Sequence, residues 1–264
     1  MSLSIDISYQ QSAHKISIAT ELPNQGISGI FGPSGVGKTT LLRFIAGLDN
    51  PMTGKISFNN QTWFKPAASV SPQQRKVGFV FQDSRLFPHL DVRSNLTLAQ
   101  SQTKAPQLDQ AALCEAFGII SLLDKRANKL SAGQQQRVAI VRSLLAQPSL
   151  LLLDEPLAAL DRHSKQTIIQ QLKEHSAKHQ LPMIYVSHSA NEIEQLCDNL
   201  LMLHHDGRIE FGESKQLLQH YLQQQASVVA CDDKLQQITL TLTAEQYQHY
   251  RQRPHLFISD DKKE

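Results

Sequence analysis

Cysteine is scarce in this chain of 264 residues. There are three, and Cys114, Cys197 and Cys231 stand far apart with no C-x-x-C spacing. That excludes a disulfide framework and a cysteine-based zinc site, and fits thiols packed in a reducing compartment. An excess of one charge is also missing: 26 Lys and Arg against 24 Asp and Glu leave a formal charge of +2, with no basic block. The balance carries no footprint for nucleic acid. No apolar run approaches the roughly 18 residues that a membrane-spanning helix needs, so work at a membrane requires a partner to supply the span. The opening "MSLSIDISYQ" alternates apolar and polar residues and reads as a strand, not a signal peptide. No internal repeat is found. What is present is 41% hydrophobic residues, the content of a folded globular chain.

The apolar residues are grouped. "GISGIFG" (26–32), "VGFVF" (77–81), "LLLL" (150–153) and "MIYVS" (183–187) are short runs that alternate with helical stretches. This is the pattern of an α/β domain whose parallel strands are covered on both faces. Between Asp83 and Gln147 the strand signals disappear, while "DQAALCEAFGIISLLDK" and "GQQQRVAIVRSLLAQ" have helical spacing. A helical subdomain inserted over about 83–147 is expected. Leu160, Ser164, Ile168 and Leu172 recur at i+4 and predict an amphipathic helix over 161–180. From about Ser227 the character changes again: "QITLTLT" alternates like a strand and "SDDKKE" is a polar, frayed end.

Chemistry concentrates where strands stop. "GPSGVGKTT" (Gly32, Pro33, Ser34, Gly35, Val36, Gly37, Lys38, Thr39, Thr40) fits G-x-x-x-x-G-K-[ST], after one apolar strand and before the helix "TTLLRFIAGL". Its glycines let backbone N–H groups approach phosphates, and the helix N-terminus adds partial positive charge. Lys38 is assigned to the β- and γ-phosphates of ATP and the Thr39 hydroxyl to Mg²⁺. "SLLLLDEP" is a buried strand ending in two carboxylates. Burying either acid without a partner costs several kcal/mol, so the pair needs a cation or a polar crevice at the strand's carboxyl end. Asp154 suits Mg²⁺ as the acidic partner of Thr39, and Glu155 suits a general base that aligns the attacking water. Gln82 follows "VGFVF" and His188 follows "MIYVS". Each alone is more often a satisfied strand-end residue than a catalytic one. With the phosphate loop they define one sheet edge, Gln82 as a sensor of Mg²⁺ and water, His188 as a partner of the γ-phosphate or Glu155.

"KLSAGQQQR" (129–137) looks like glutamine-rich filler. Yet Ser131 and Gln134 have capping-box spacing, and a helix N-terminus so formed attracts a phosphate. Phosphate loop, Gln82, "LSAGQQQR", "LLLLDEP", "LAALD" and His188 occur in an order that resembles the ATP-binding cassette family. The resemblance covers about residues 1–212. It implies a P-loop NTPase (RecA-like) α/β core with an antiparallel β edge and the inserted helical subdomain, the cassette occupying 1–225 and a short tail 226–264. It also implies that Ser131, Ala132, Gly133 and Gln134 face the ATP of an opposing subunit in a homodimer, and that Asp161 communicates across that interface. Tyr9, 29 residues before Lys38, lies where the family places an adenine-stacking aromatic; an ordinary strand tyrosine is the other reading.

Within the family, "RKVGFVFQDSRLFPHLDVRSNL" and "LPMIYVSHSANEIEQLCDNLLML" resemble the ATPase subunits of molybdate importers. The partners implied are integral membrane permease subunits and, indirectly, a solute-binding protein, with the chain peripheral at the cytoplasmic face of the plasma (inner) membrane. Leu86, Phe87 and Leu90 are candidates for a permease-docking groove or for subdomain core. Importers of sulfate, phosphonate, polyamine or iron stay open as alternatives. So does a non-transport ATPase, although only 91 positions separate Thr39 from Leu130, too few for a long coiled coil. Two features depart from the family pattern. Ala132 stands where glycine is usual, and the tail is too short for a complete oxyanion-binding β-domain, of which it reads as a remnant.

Overall fold

Each of the four apolar runs becomes a strand, three of them fully buried and the one at 77–80 buried at every second residue, and all four lie in one sheet. The computed structural model describes residues 2–11, 14–103, 108–204, 206–225, 227–232 and 237–241. The chain opens with β1 (Ser2–Gln11), β2 (His14–Pro23) and β3 (Ile27–Phe31), then α1 (Lys38–Ala46), β4 (Thr53–Phe58), β5 (Gln61–Lys65), β6 (Ala68–Ser69), α2 (Pro72–Arg75) and β7 (Val77–Val80). A helical segment follows, with α3 (Val92–Ser101), α4 (Gln110–Ala116) and α5 (Ala132–Leu145). The chain then returns to the sheet with β8 (Leu150–Asp154), α6 (Arg162–His179), β9 (Met183–Val186), α7 (Ala190–Leu196), β10 (Asn199–Leu203), β11 (Ile209–Glu213) and α8 (Ser214–Gln225). Last come β12 (Ser227–Asp232) and β13 (Gln237–Thr241), an antiparallel pair.

The core sheet has the order β11-β10-β3-β9-β8-β7, parallel except for β11 at its edge. A second, antiparallel sheet runs β2-β1-β4-β5-β6. Its β4 to β6 arise from a stretch in which the sequence patterning singles out no strands. Period-two alternation explains why the core sheet is apolar on both faces. Leu150, Leu152, Ile184, Val186, Leu201 and Leu203 pack with α1 and the antiparallel sheet, whereas Leu151, Leu153, Met183, Tyr185, Leu200 and Met202 face the helical side.

The inserted subdomain is found where expected. No strand longer than the single bridge Asp91 to Arg126 forms among the described residues of 83–147. The helical spacing over 109–125 ends early, however: α4 stops at Ala116, Gly118 takes a φ of 62°, and Ile120–Leu122 is a 3-10 turn. The amphipathic helix predicted over 161–180 is α6, with Ile168, Ile169 and Leu172 buried. Cys114 and Cys197 are free and buried, and burial pushes both thiols up, as packed thiols should behave. "SDDKKE" and the rest of 242–264 lie outside the described residues.

Arg75 ties α1 to the antiparallel sheet. Its side chain, 2% exposed, donates from Nη1 to the carbonyls of Phe44 and Ile45 (both 2.7 Å), from Nη2 to that of Trp63 (3.1 Å) and from Nε to that of Val70 (2.9 Å). The first two belong to the last turn of α1, where the Phe44 carbonyl also accepts from the Gly47 N–H (3.1 Å). Burial without a counter-charge pushes the guanidinium down to about 10. Arg75→Met is expected to lower stability by about 3 kcal/mol, because it removes the donor to the Ile45 and Val70 carbonyls from a buried site, while those of Phe44 and Trp63 keep the N–H groups of Gly47 and Val70. Urea unfolding of the two proteins checks this; a loss under about 1 kcal/mol would mean that the carbonyls find other donors.

Candidate nucleotide site

The carboxyl ends of β3, β7, β8 and β9 meet on one edge, and the expected residues follow them directly. After β3 the loop from Gly32 to Gly37 leads into α1, whose first turn holds no acid. Lys38 is buried, its ammonium donating to the carbonyls of Gly32 (2.7 Å) and Pro33 (2.9 Å). Burial lowers its pKa, and the charges of Glu155 and Asp154 oppose that shift. The Thr39 hydroxyl donates to Asp154 Oδ1 at 3.1 Å. Asp154, the last residue of β8, is 4% exposed; burial pushes its carboxyl up against the downward pull of the Thr39 hydrogen bond.

Glu155 turns out of the strand with a φ of 46°, an unusual value for a residue with a side chain. Its N–H still donates to the Val186 carbonyl (3.0 Å), so the turn is pinned to β9. The result brings the Glu155 carboxylate within 3.2 Å of His188 Nδ1. His188, ambiguous in the sequence, is thus a neighbour of Glu155. Gln82 is exposed after β7 and lines a groove of about 540 Å³ with Ala132, Gln135, Gln136 and Ala159.

Tyr9 requires a correction. Its ring is 2% exposed, edge-on to Phe44 at 5.1 Å, and offers no face to a base. It lies beneath the phosphate loop: a Cβ added at Gly37, which has a φ of 101°, would sit 2.7 Å from the tyrosine hydroxyl. Alternation places Tyr9 on the same inward face as Leu3, Ile5 and Ile7, which is why the strand-tyrosine reading holds. The hydroxyl has no hydrogen-bond partner among the described residues, and burial pushes it up to about 12.

The stretch 129–137 has structure in every part. Ser131 caps α5, its hydroxyl accepting from Gln134 N–H (3.3 Å) while Gln134 Oε1 accepts from Ser131 N–H (3.0 Å), a complete capping box. Gln135 donates to the carbonyls of Ala127 and Leu130 and accepts from the Ser84 hydroxyl; Gln136 donates to the Phe81 carbonyl. Gly133 allows a close approach within its own chain: an added Cβ would lie 3.0 Å from both the Ala159 carbonyl oxygen and Leu160 Cδ2. Asp161 caps α6 by accepting from the Ser164 N–H (3.0 Å) and hydroxyl (2.6 Å), which hold its carboxyl below the usual range.

One residue escaped the sequence reading. Glu192, on α7, is 6% exposed and gathers Lys165, Tyr185 and Ser187 beside His188. The signal was available, since Ser189 and Glu192 have capping-box spacing just after the strand "MIYV".

The donor set suits phosphates and a hard cation. A hydroxyl and a buried carboxylate in contact leave oxygen ligands for Mg²⁺, and no group of three or more His, Cys, Asp or Glu that could hold a metal occurs among the described residues. Magnesium held by one carboxylate and substrate phosphates needs no such cage.

Phosphate loop, strand-end carboxylates and inserted helices on a parallel sheet define a P-loop nucleotide-binding fold. The family model described as ABC transporter matches residues 17–158, and the chain belongs to that family. It is 41% identical over 216 residues to the molybdenum import ATP-binding protein ModC of Shewanella sp. (strain MR-4), covering 81% of this chain and 59% of that protein. ModC of Saccharophagus degradans is 42% identical over 205 residues, 77% of this chain and 57% of the relative. The chain therefore spans less than two thirds of the length of these curated relatives. Among solved structures, a dimeric ATP-binding cassette in a post-hydrolysis state bound to ADP and Pi matches with a TM-score of 0.67 at 26% identity, covering 81% of this chain and 98% of that one. CbiO1 from Clostridium perfringens, part of an ABC transporter complex, matches with a TM-score of 0.69 at 27% identity, covering 82% and 89%.

Two tests follow. Tyr9→Phe removes a buried, unpaired hydroxyl and is expected to raise stability by about 1 kcal/mol in urea unfolding, with destabilisation as the contrary result. For Asp154 the sign is set by its raised folded pKa. The folded state holds the proton more tightly, so the contribution to stability is present below the ordinary 3.8 and is lost as pH rises through the folded value. Asp154→Asn should abolish that decline in magnesium-free buffer; parallel stability curves for variant and wild type would contradict it.

Proposed function

We propose that this chain is the ATP-binding, ATP-hydrolysing subunit of an ABC importer that drives uptake of molybdate through a separate permease. The contact that carries the hydrolytic reading is Glu155 to His188, 3.2 Å apart on the same sheet edge as Lys38 and the Thr39 to Asp154 pair. Glu155 takes a proton from water attacking the γ-phosphate, and His188 holds the carboxylate and the phosphate in register. Lys38 and the loop N–H groups bind the phosphates, and Thr39 and Asp154 hold Mg²⁺, which neutralises charge on the phosphate oxygens. Gln82 faces the same edge as the sensor of metal and water.

Two subunits sandwich two nucleotides in this reading, the capped N-terminus of α5 with Ser131, Ala132 and Gly133 facing the ATP of the partner subunit across the interface that Asp161 borders. The dimeric state of the solved cassette relative supports it. The groove beside Gln82 is the docking place for a permease segment. Leu86 lines that groove and packs partly on the core, while Phe87, 43% exposed, lies next to it in the chain with Arg142 over its ring at 5.9 Å. The chain works peripherally at the cytoplasmic face of the inner membrane; no helix among the described residues is long and apolar enough to cross one. A solute-binding protein delivers the anion to the permease. Molybdate rests on the relatives' names alone.

Glu155→Gln is expected to lower ATP turnover by about 100-fold while stabilising an ATP-bound dimer, read by steady-state kinetics and size-exclusion chromatography. Ser131→Arg should abolish that dimer and leave ATP affinity of the monomer unchanged. Undiminished turnover in the first variant, or lost monomer binding in the second, would refute the composite site. For the solute, the co-purified permease with molybdate, sulfate or phosphonate and its binding protein should show stimulation by molybdate first.

A further inference from the structure

α7 turns an apolar side to the core through Ala190, Ile193 and Leu196, yet it also buries the carboxylate of Glu192. Burying a carboxylate is costly unless donors surround it, and three do. Oε2 accepts from the Tyr185 hydroxyl (2.7 Å) and the Ser187 hydroxyl (2.9 Å); Oε1 accepts from the Lys165 ammonium (2.7 Å). Ser187 in turn accepts from the Ser189 N–H (3.0 Å), and Ser189 caps α7 by accepting from the Glu192 N–H (3.4 Å). This is a capping box with one hydroxyl inserted: the glutamate reaches the N–H of the cap residue through Ser187. The turn so closed, 187–189, is the one that carries His188.

The second carboxylate oxygen leads elsewhere. Lys165 lies in the first turn of α6, its own N–H bonded to the Asp161 carbonyl (2.9 Å). Glu192 therefore joins the segment that presents His188 to the segment that begins at Asp161, through groups that have few other ways to be satisfied. Tyr185, at the centre of β9 and fully buried, fixes the carboxylate from the sheet side.

We infer that Glu192 is a positioning residue for hydrolysis: with Lys165 and Ser187 it sets the place of His188 against Glu155 and ties that place to the Asp161 end of α6. The inference rests on the hydrolytic reading of Glu155 and His188. A packing role alone would lower stability and spare the chemistry. A positioning role lowers kcat, spares KM and vanishes when His188 is absent.

The full chain tests this with Lys165→Met, Glu192→Gln, Ser187→Ala and Ser187→Thr, and with the first two also combined with His188→Ala. Steady-state kcat and KM for ATP with Mg²⁺ are measured beside urea unfolding. Lys165→Met and Glu192→Gln are expected to lower kcat about tenfold with KM changed less than about twofold, and to have no further effect on His188→Ala. Ser187→Thr, which keeps the hydroxyl, should turn over like wild type where Ser187→Ala does not. Lys165 is 29% exposed and Glu192 8%, so Lys165→Met disturbs less buried structure than Glu192→Gln and carries the test. Full kcat in Lys165→Met, or an equal loss with and without His188, overturns the positioning role. If Glu155→Gln and His188→Ala themselves turn over like wild type, the hydrolytic reading falls first and this role with it.

Discussion

A positive and a negative charge are both buried at the carboxyl edge of the core sheet, and each is satisfied by a different neighbour. Lys38 is held by carbonyls of its own loop, and Asp154 by the Thr39 hydroxyl. Both groups are shifted by burial toward their neutral forms. Neither arrangement is the best that either charge can have, because carbonyls and a hydroxyl are weaker partners than a phosphate or a divalent cation. An anion beside Lys38 suits the glycine loop, and the abrupt end of β8 leaves Asp154 with oxygen lone pairs to spare.

Around this edge the glutamine tract behaves as connective structure. Gln134 completes a cap, Gln135 spans the turn before α5 and the loop after β7, and Gln136 reaches the last carbonyl before Gln82. Arg142 adds hydrogen bonds to the carbonyls of Ser84 and Arg85, and buried Asn95 grips the backbone of Phe87 from both its N–H and its carbonyl. The segment 81–87 is thereby fastened to the inserted helices more than to the sheet it leaves. Amide side chains suit this work, since each offers a donor and an acceptor without the desolvation cost of a charge.

The phosphate loop, Asp154 and Glu155 are legible in the sequence because their chemistry is local: an apolar strand, a stop and polar residues at a fixed offset. The capping box at Ser131 is legible for the same reason. Features that depend on the far side of a residue are not. Nothing near Tyr9 in the chain tells that Gly37 covers it, and nothing near Gly133 tells that Ala159 and Leu160 press on it. Glu192 reads as one more surface acid in an Asn, Glu and Gln-rich helix until the fold brings Lys165 from 27 residues away. The strands of 53–69 are short, half exposed and irregular in pairing, so their period-two signal is weak.

Arg75 gives α1 a mechanical character. One end of the helix carries the phosphate-binding loop; the other is bolted by a single guanidinium to Trp63 and Val70 of the antiparallel sheet. A nine-residue helix fixed at both ends is a strut, stiff over its whole length. The phosphate-binding loop is therefore braced against the antiparallel sheet through the whole length of the helix. The inserted helices hold none of this strut; the hydrogen bonds of Gln136 and Arg142 go to the segment that follows β7.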